Sequence, residues 1–227
     1  MGKLLLFYLL ASATGHPFLI LVGMVAVFYL LDRRTVRWTP SVIPAFRRLI
    51  EQRRLEREVR INPHDADARA GLGALLLESG RPLPAVQQLE TAIQKLGDVA
   101  ETHYLLGLAL LKSSRWREAR ERFEKSLQID PGFRMGEALL RLGEYWARAG
   151  DHERAQAAFD AFLERNDSSV EGHVLSARDL HAAGDLPAAR KHIEKALLTY
   201  REAPRFRRKL DRLWAWRART MRRGLRP

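Results

Sequence analysis

Four residues that suit tight turns recur at nearly constant spacing through the middle of the chain. Gly80, Ser114, Gly150 and Gly184 are separated by 34, 36 and 34 residues. Each stands between two short segments whose apolar residues follow helical periodicity. A period of this size indicates a repeated supersecondary unit, because one such unit can bury its apolar side only against its neighbours. The spacing therefore predicts an all-α array of helical hairpins.

The clearest copy of the unit spans residues 100–133. Its helical faces carry Leu106 and Gly107 in the first segment and Ala119 and Phe123 in the second. We expect Gly107 to let the paired helices approach closely, because a larger side chain at the crossing would push them apart. Further copies in the same register occupy residues 66–99, 136–169 and 170–203.

These units resemble the tetratricopeptide repeat, a helix–turn–helix of 34 residues. The resemblance implies a right-handed α-α superhelix whose concave groove is lined by the first helix of each repeat. Asp151 and Asp185 are placed to cap second helices. No copy has the family's early tryptophan, and only Pro131 stands at its terminal proline position. Two extra residues before the third copy account for the spacing of 36.

The same resemblance implies which side chains face the groove. In the first repeat these are Asp67, Ala70 and Ala74. In the other three repeats the groove-facing residues are Tyr104, Leu105, Leu108, Lys112, Leu140, Arg141, Glu144, Arg148, Val174, Arg178 and His181. The first two repeats are thus apolar and the last two more basic, which suits an extended or helical peptide with apolar anchors and some acidic residues. An alternative is that Leu105, Leu108 and Leu140 pack between helices.

The amino-terminal part, residues 1–31, contains 28 consecutive residues without a formal charge, from position 4 to position 31. About 20 apolar residues suffice for a helix to cross a bilayer. One transmembrane helix over about residues 8–31, kinked near Pro17, is our main interpretation. A hairpin in one leaflet and a signal peptide cleaved after Ala13 are the alternatives.

The charges that flank this segment predict its orientation. Arg33, Arg34 and Arg37 follow it, whereas only Lys3 precedes it. The positive-inside rule then places the repeats in the cytoplasm. Arginine strongly outnumbers lysine, which is typical of a GC-rich genome and favours a bacterial inner-membrane protein. Residues 32–65 are predicted to form a linker and a capping helix, with a basic helix on anionic lipid as the alternative.

The carboxyl-terminal segment, residues 204–227, carries 10 basic and 1 acidic side chains. It is predicted to form a helix that caps the array, and we expect its apolar stripe, Phe206, Leu210, Leu213, Trp214 and Met221, to pack on the last repeat. The basic side chains predicted to point outward are Arg207, Arg208, Arg212, Arg219, Arg222 and Arg223. That many arginines exceed what capping requires, so a second role in binding anionic lipid or nucleic acid is an alternative function.

The sequence contains no arrangement typical of catalysis. Cysteine is absent, and the seven histidines show no metal-ligand spacing. Phosphate-binding, dinucleotide-binding and nucleophile-elbow motifs are also missing. We therefore expect no enzyme activity, no cofactor and no metal.

The predicted function is that of a membrane-tethered scaffold or adaptor with a protein or peptide partner. Nucleic acid is disfavoured as the partner because the basic tail belongs to a chain with a predicted membrane anchor. A regulator of envelope assembly is a further alternative, because bacterial proteins of that kind also combine an anchor with repeats. They end in a cysteine-ligated metal domain, which a chain without cysteine does not have.

Overall fold

The computed structural model of the 227-residue chain describes residues 43–225 and the single positions 18, 22, 23, 25 and 27. Backbone contacts divide the chain into one unit of residues 1–51 and another of residues 52–227. The segment predicted to be a transmembrane helix, residues 4–31, lies outside the described residues except for those five positions. Within the part that is described, no helix is both long and apolar enough to cross a bilayer.

The described chain is built of helices. Their bounds are α1 Ile43–Ile61, α2 Ala66–Glu78, α3 Pro82–Ala92, α4 Ala100–Lys112, α5 Trp116–Ile129, α6 Glu137–Ala149, α7 His152–Arg165, α8 Val170–Ala182, α9 Leu186–Glu202 and α10 Arg205–Gly224, with a 3₁₀ turn at Phe133–Gly136. Helices α2 to α9 form four consecutive hairpins, each inside one of the four predicted repeats. The prediction of an all-helical repeat array is confirmed for this part of the chain.

The turn between the two helices of each hairpin requires a left-handed backbone residue. Gly80, Gly150 and Gly184 have φ angles of 71°, 79° and 88°, and Ser114 has 64°. Glycine adopts this conformation at little cost because it has no Cβ, whereas a serine is strained there. Two hairpins then begin their second helix with a side-chain cap, because the Asp151 and Asp185 carboxylates accept hydrogen bonds from backbone amides three residues later.

The two extra residues before the third repeat are Arg134 and Met135. Both adopt left-handed backbone conformations, with φ angles of 49° and 57°. They lie in the 3₁₀ turn that joins the second hairpin to the third. The insertion is therefore absorbed between repeats, and the helices on either side keep the register of the array.

Close contact between paired helices depends on glycines in the first helices. A Cβ built on Gly107 would lie 2.6 Å from the Phe123 ring, and one on Gly143 would lie 2.5 Å from the Phe159 ring. Both phenylalanines are buried, with 1% and 0% of their surface exposed. The predicted role of Gly107 is confirmed, because no larger residue fits while the ring keeps its position.

Helix α10 packs on the last repeat through part of the predicted stripe, Trp214 and Met221, and through two alanines that were not predicted. Ala215 and Ala218 are fully buried, and Trp214 and Met221 contact the same apolar core. Phe206, Leu210 and Leu213 are instead 71%, 70% and 55% exposed. The prediction that these three residues pack on the array is wrong, because small side chains allow a closer approach of two helices than large ones.

Candidate binding surface on the first helices

Helices α2, α4, α6 and α8 are the first helices of the four hairpins, and we refer to their solvent-facing side as the first-helix surface. Two of the cavities in the described part of the chain open on it. The one we call the amino-terminal cavity has a volume of about 260 Å³ and lies between α2 and α4. It is lined by Asp67, Ala70, Gly71, Ala74, Leu96, Val99, Glu101, Thr102 and Leu105.

The amino-terminal cavity exists because its walls are made of small residues. Ala70, Gly71 and Ala74 follow one side of α2 and leave space that longer side chains would fill. Leu105 contributes an apolar wall from α4. Asp67 is exposed at the rim, and no cation among residues 43–225 pairs with it. The cavity therefore suits an apolar side chain that has a positive charge close to it.

The second cavity, which we call the arginine cavity, has a volume of about 440 Å³. It is lined by Trp116, Glu144, Ala147, Arg148, Arg178, Asp179 and Ala182. The Arg148 guanidinium carbon lies 4.4 Å from the centroid of the Trp116 ring, which is a cation–π contact. The stacking holds this guanidinium in place at the cavity.

The two arginines of this cavity have no carboxylate partner in the described structure. The nearby Asp179 carboxylate is buried and is used by other side chains, because the His152 ring nitrogen and the Gln156 amide each approach it to 2.7 Å. Arg148 and Arg178 are both exposed. Their charges are thus available to an acidic side chain of a binding partner.

Arg141, a basic residue of α6, has a structural role. Its side chain is 15% exposed and lies 2.6 Å from the Glu144 carboxylate and 2.8 Å from the Glu171 carboxylate. Burial alone would lower the pKa of this guanidinium, but the negative charges of Glu171 and Glu144 raise it above its usual value. Because Glu171 belongs to α8, the ion pair joins the third repeat to the fourth.

The structure brings most of the predicted groove residues onto the first-helix surface. Asp67, Ala70, Ala74 and Leu105 line the amino-terminal cavity, and Glu144, Arg148 and Arg178 line the arginine cavity. Lys112 and His181 are exposed at the ends of α4 and α8, while Leu108 is half-buried against the core.

Three predicted groove residues face inward instead. Tyr104, Leu140 and Val174 are only 1%, 2% and 4% exposed. They occupy equivalent positions in the second, third and fourth repeats. The Tyr104 ring packs edge-on to Phe133 at 5.7 Å between centroids, and burial raises the pKa of its phenol. These side chains belong to the core.

Two residues that the sequence did not suggest are Trp116 and Glu171. Trp116 begins the second helix of the second repeat, and only the stacking of hairpins brings it to Arg148 of the next repeat. Glu171 opens the first helix of the fourth repeat. Both contacts join different repeats, so helical periodicity within one repeat gives no signal of them.

A third cavity, with a volume of about 710 Å³, lies beside the fourth repeat and contains a pair of histidines. The His173 Nε2–H donates to the carbonyl of Asp167, which leaves its Nδ1 to face the His192 Nδ1 at 3.3 Å. Burial lowers the pKa of both imidazoles. No group of three or more potential metal-ligating side chains occurs in the residues that the structure covers.

Comparison with known proteins supports the repeat assignment. The sequence profile of the tetratricopeptide repeat family matches residues 75–133 and 104–171. A search of curated proteins found no match.

Several solved structures have a similar fold. The crystal structure of MamA aligns with a TM-score of 0.62 and 18% identity, over 66% of this chain and 87% of that one. TTC0263, a thermophilic TPR protein of Thermus thermophilus, aligns with a TM-score of 0.59 and 19% identity, over 78% of this chain and 93% of that one. YrrB, described as a TPR protein with an unusual peptide-binding site, aligns with a TM-score of 0.58 and 14% identity, over 86% of this chain and 93% of that one.

Proposed function

We propose that this chain, whose residues 75–171 match the tetratricopeptide repeat family, is a non-catalytic scaffold that binds an extended or helical segment of a partner protein on its first-helix surface. The observation that carries the proposal is the amino-terminal cavity. It is bounded by small and apolar residues and has carboxylates at its rim. Such a cavity accepts an anchoring side chain of a peptide.

The chemistry of the two cavities specifies the partner segment. An apolar side chain occupies the space beside Ala70, Ala74 and Leu105, with a basic residue near Asp67. An acidic residue pairs with Arg148 or Arg178 in the arginine cavity. YrrB, which has the same fold, has a peptide-binding site, and this supports a peptide as the ligand.

We further propose that residues 4–31 tether the scaffold to a membrane, with the repeats on the cytoplasmic side of a bacterial inner membrane. The support is the uncharged length of that segment and the arginines that follow it. A tether raises the effective concentration of any partner in the same membrane. A reporter fused after Pro227 tests the orientation, because one that functions only outside the cytoplasm would overturn it.

The partner-binding proposal is tested by reversing one charge at each cavity. The variant Asp67→Arg/Arg178→Glu changes two exposed side chains and leaves the net charge unchanged. Its matched control, Arg117→Glu/Glu121→Arg, makes the same two reversals on α5, a second helix. Both chains are expressed at the level of the wild type, cross-linked in intact cells and compared by mass spectrometry of the cross-linked proteins.

We expect the cavity variant to lose one or a few cross-linked proteins that the wild type and the control both retain. Circular dichroism must first show that both variants keep the helical content of the wild type. If the three chains give the same cross-linked proteins, partner binding on the first-helix surface is wrong.

A further inference from the structure

We propose that α10, together with the cleft that it forms with α9, is a docking surface for an anionic phospholipid bilayer. This inference uses none of the residues of the first-helix surface. It concerns a second binding site on the same chain, and its ligand class is the phosphate headgroup and acyl boundary of a membrane.

The cleft between α9 and α10 is strongly basic. It has a volume of about 610 Å³, and we call it the basic cleft. Its lining residues are Glu194, Lys195, Leu197, Leu198, Tyr200, Arg201, Arg208, Arg219 and Arg222. Five of these nine side chains are cations and one is an anion. Lys195 pairs with Asp167 at 2.7 Å, so part of its charge is compensated within the protein.

The four arginines of the basic cleft are not compensated in this way. Among residues 43–225, no carboxylate lies within ion-pairing distance of Arg201, Arg208, Arg219 or Arg222. Arg219 lies over the Tyr200 ring, with 5.4 Å between its guanidinium carbon and the ring centroid. Guanidinium groups that outnumber the carboxylates around them favour binding of a phosphate, which accepts several of their hydrogen bonds at once.

A stripe of large apolar side chains lies on α10, separated from the arginines of the basic cleft by the exposed Arg212 and Arg223. Phe206, Leu210, Leu213 and Trp216 are 71%, 70%, 55% and 58% exposed. Their spacing of four and three residues places the first three on one side of the helix, while Ala215 and Ala218 face the core. A helix with exposed apolar residues beside arginines has the properties of one that lies in a membrane interface.

The apolar stripe favours a bilayer over nucleic acid. Leucines gain free energy when they leave water for the acyl boundary, but they do not contact a phosphate backbone or stack on bases. Trp214, the other tryptophan of α10, is part of the core and has Arg217 over its ring at 4.4 Å. Basic residues near a membrane surface gain further free energy from anionic lipid. The apolar stripe and the basic residues of α10 thus both contribute to binding one bilayer.

The absence of cysteine from the chain permits a direct test. Leu213→Cys introduces a single thiol on the stripe, and Leu83→Cys introduces one on α3, at a residue that is 63% exposed. Each full-length variant carries an environment-sensitive fluorophore and is reconstituted into vesicles of phosphatidylcholine, with or without phosphatidylglycerol. A lipid with a quencher in its acyl chain then reports contact of the label with the bilayer.

We expect quenching at position 213 to be several-fold greater in anionic vesicles than in neutral ones, and quenching at position 83 to be low in both. Adding Arg208→Gln, Arg219→Gln and Arg222→Gln should bring position 213 to its neutral-vesicle value. The matched set Arg117→Gln, Lys125→Gln and Arg154→Gln should leave it unchanged, with circular dichroism checking the fold of each chain.

Weak quenching at position 213 in both kinds of vesicle would overturn the proposal. So would equal quenching in both, because the charges would then have no part in docking. An emission shift at position 213 with single-stranded RNA in detergent, without any response to anionic vesicles, would identify a nucleic-acid interface instead. Inorganic phosphate, added to the anionic vesicles, tests whether the basic cleft binds a free anion instead. Equal quenching at position 213 with and without phosphate supports the membrane as the ligand. None of these outcomes depends on the cross-linking of partners at the first-helix surface.

Discussion

Replacing Arg141 with methionine should weaken the junction between the third and fourth repeats. Methionine retains an unbranched side chain of similar reach but has no charge. The substitution leaves the carboxylates of Glu137, Glu144 and Glu171 near one another without the cation that now lies between them.

The expected loss of stability follows from the geometry of the ion pair. One pair of unit charges separated by 2.8 Å, the distance from Arg141 to Glu171, interacts by about 6 kcal/mol at an effective dielectric constant of about 20. Desolvation of the guanidinium offsets part of this energy, and removal of one partner of a buried pair costs about 3–5 kcal/mol in measured cases. Glu144 and Glu171 keep 21% and 25% exposure and are partly solvated. We therefore expect a loss of about 3 kcal/mol, at the lower end of that range.

Hydrogen exchange of the full chain in a mild detergent measures this loss locally. Amide exchange in α6 and α8 should accelerate in Arg141→Met, whereas exchange in α2 should change little, because each repeat of an array contacts only its neighbours. Arg117→Met is the control, since Arg117 is exposed and a surface substitution of this kind changes stability by about 0.5 kcal/mol or less.

Two results would refute this reasoning. One is a stability of Arg141→Met equal to that of the Arg117→Met control. The other is a double variant, Arg141→Met/Glu171→Gln, that is no more stable than Arg141→Met alone. Removal of one of the stranded carboxylates must recover part of the loss if uncompensated charge is its cause.

Two further predictions follow from the turns and from the buried histidines. Ser114→Gly should raise the free energy of unfolding, measured by chemical denaturation, by about 1 kcal/mol. The reason is that Ser114 has a left-handed φ of 64°, which glycine adopts without strain. An unchanged free energy of unfolding would mean that the Ser114 turn is unstrained. Burial lowers the pKa values of His173 and His192. As the pH falls below about 6.5, these histidines are therefore protonated in the unfolded chain before they are protonated in the folded protein. The free energy of unfolding should then decrease as the pH falls from about 6.5 toward the lower pKa values of the folded protein. Replacing His192 with glutamine should flatten that decrease in denaturation measured over this pH range.

The sequence determines the repeat architecture because its signals are local. A glycine such as Gly150 adopts the left-handed conformation of a turn without a steric penalty, and the Asp151 cap acts within one turn of helix. The spacing of Gly107 from Phe123 is likewise set by one hairpin. Each signal recurs in several repeats, and the family match to residues 75–171 agrees with them. Helix positions and hairpin order could therefore be predicted without coordinates.

The surfaces were decided only by the tertiary structure. The sequence shows Tyr104 and Leu105 as adjacent residues of one helix, yet stacking of hairpins buries the first and leaves the second on the amino-terminal cavity. It shows Arg141 as one more basic residue, whereas Glu171 of the next repeat makes it a structural ion pair. In α10, the small side chain of Ala218 takes the place against the core that Leu213 was expected to fill. The angle at which one helix meets another fixes which residues reach solvent, and that angle depends on side chains from several repeats at once.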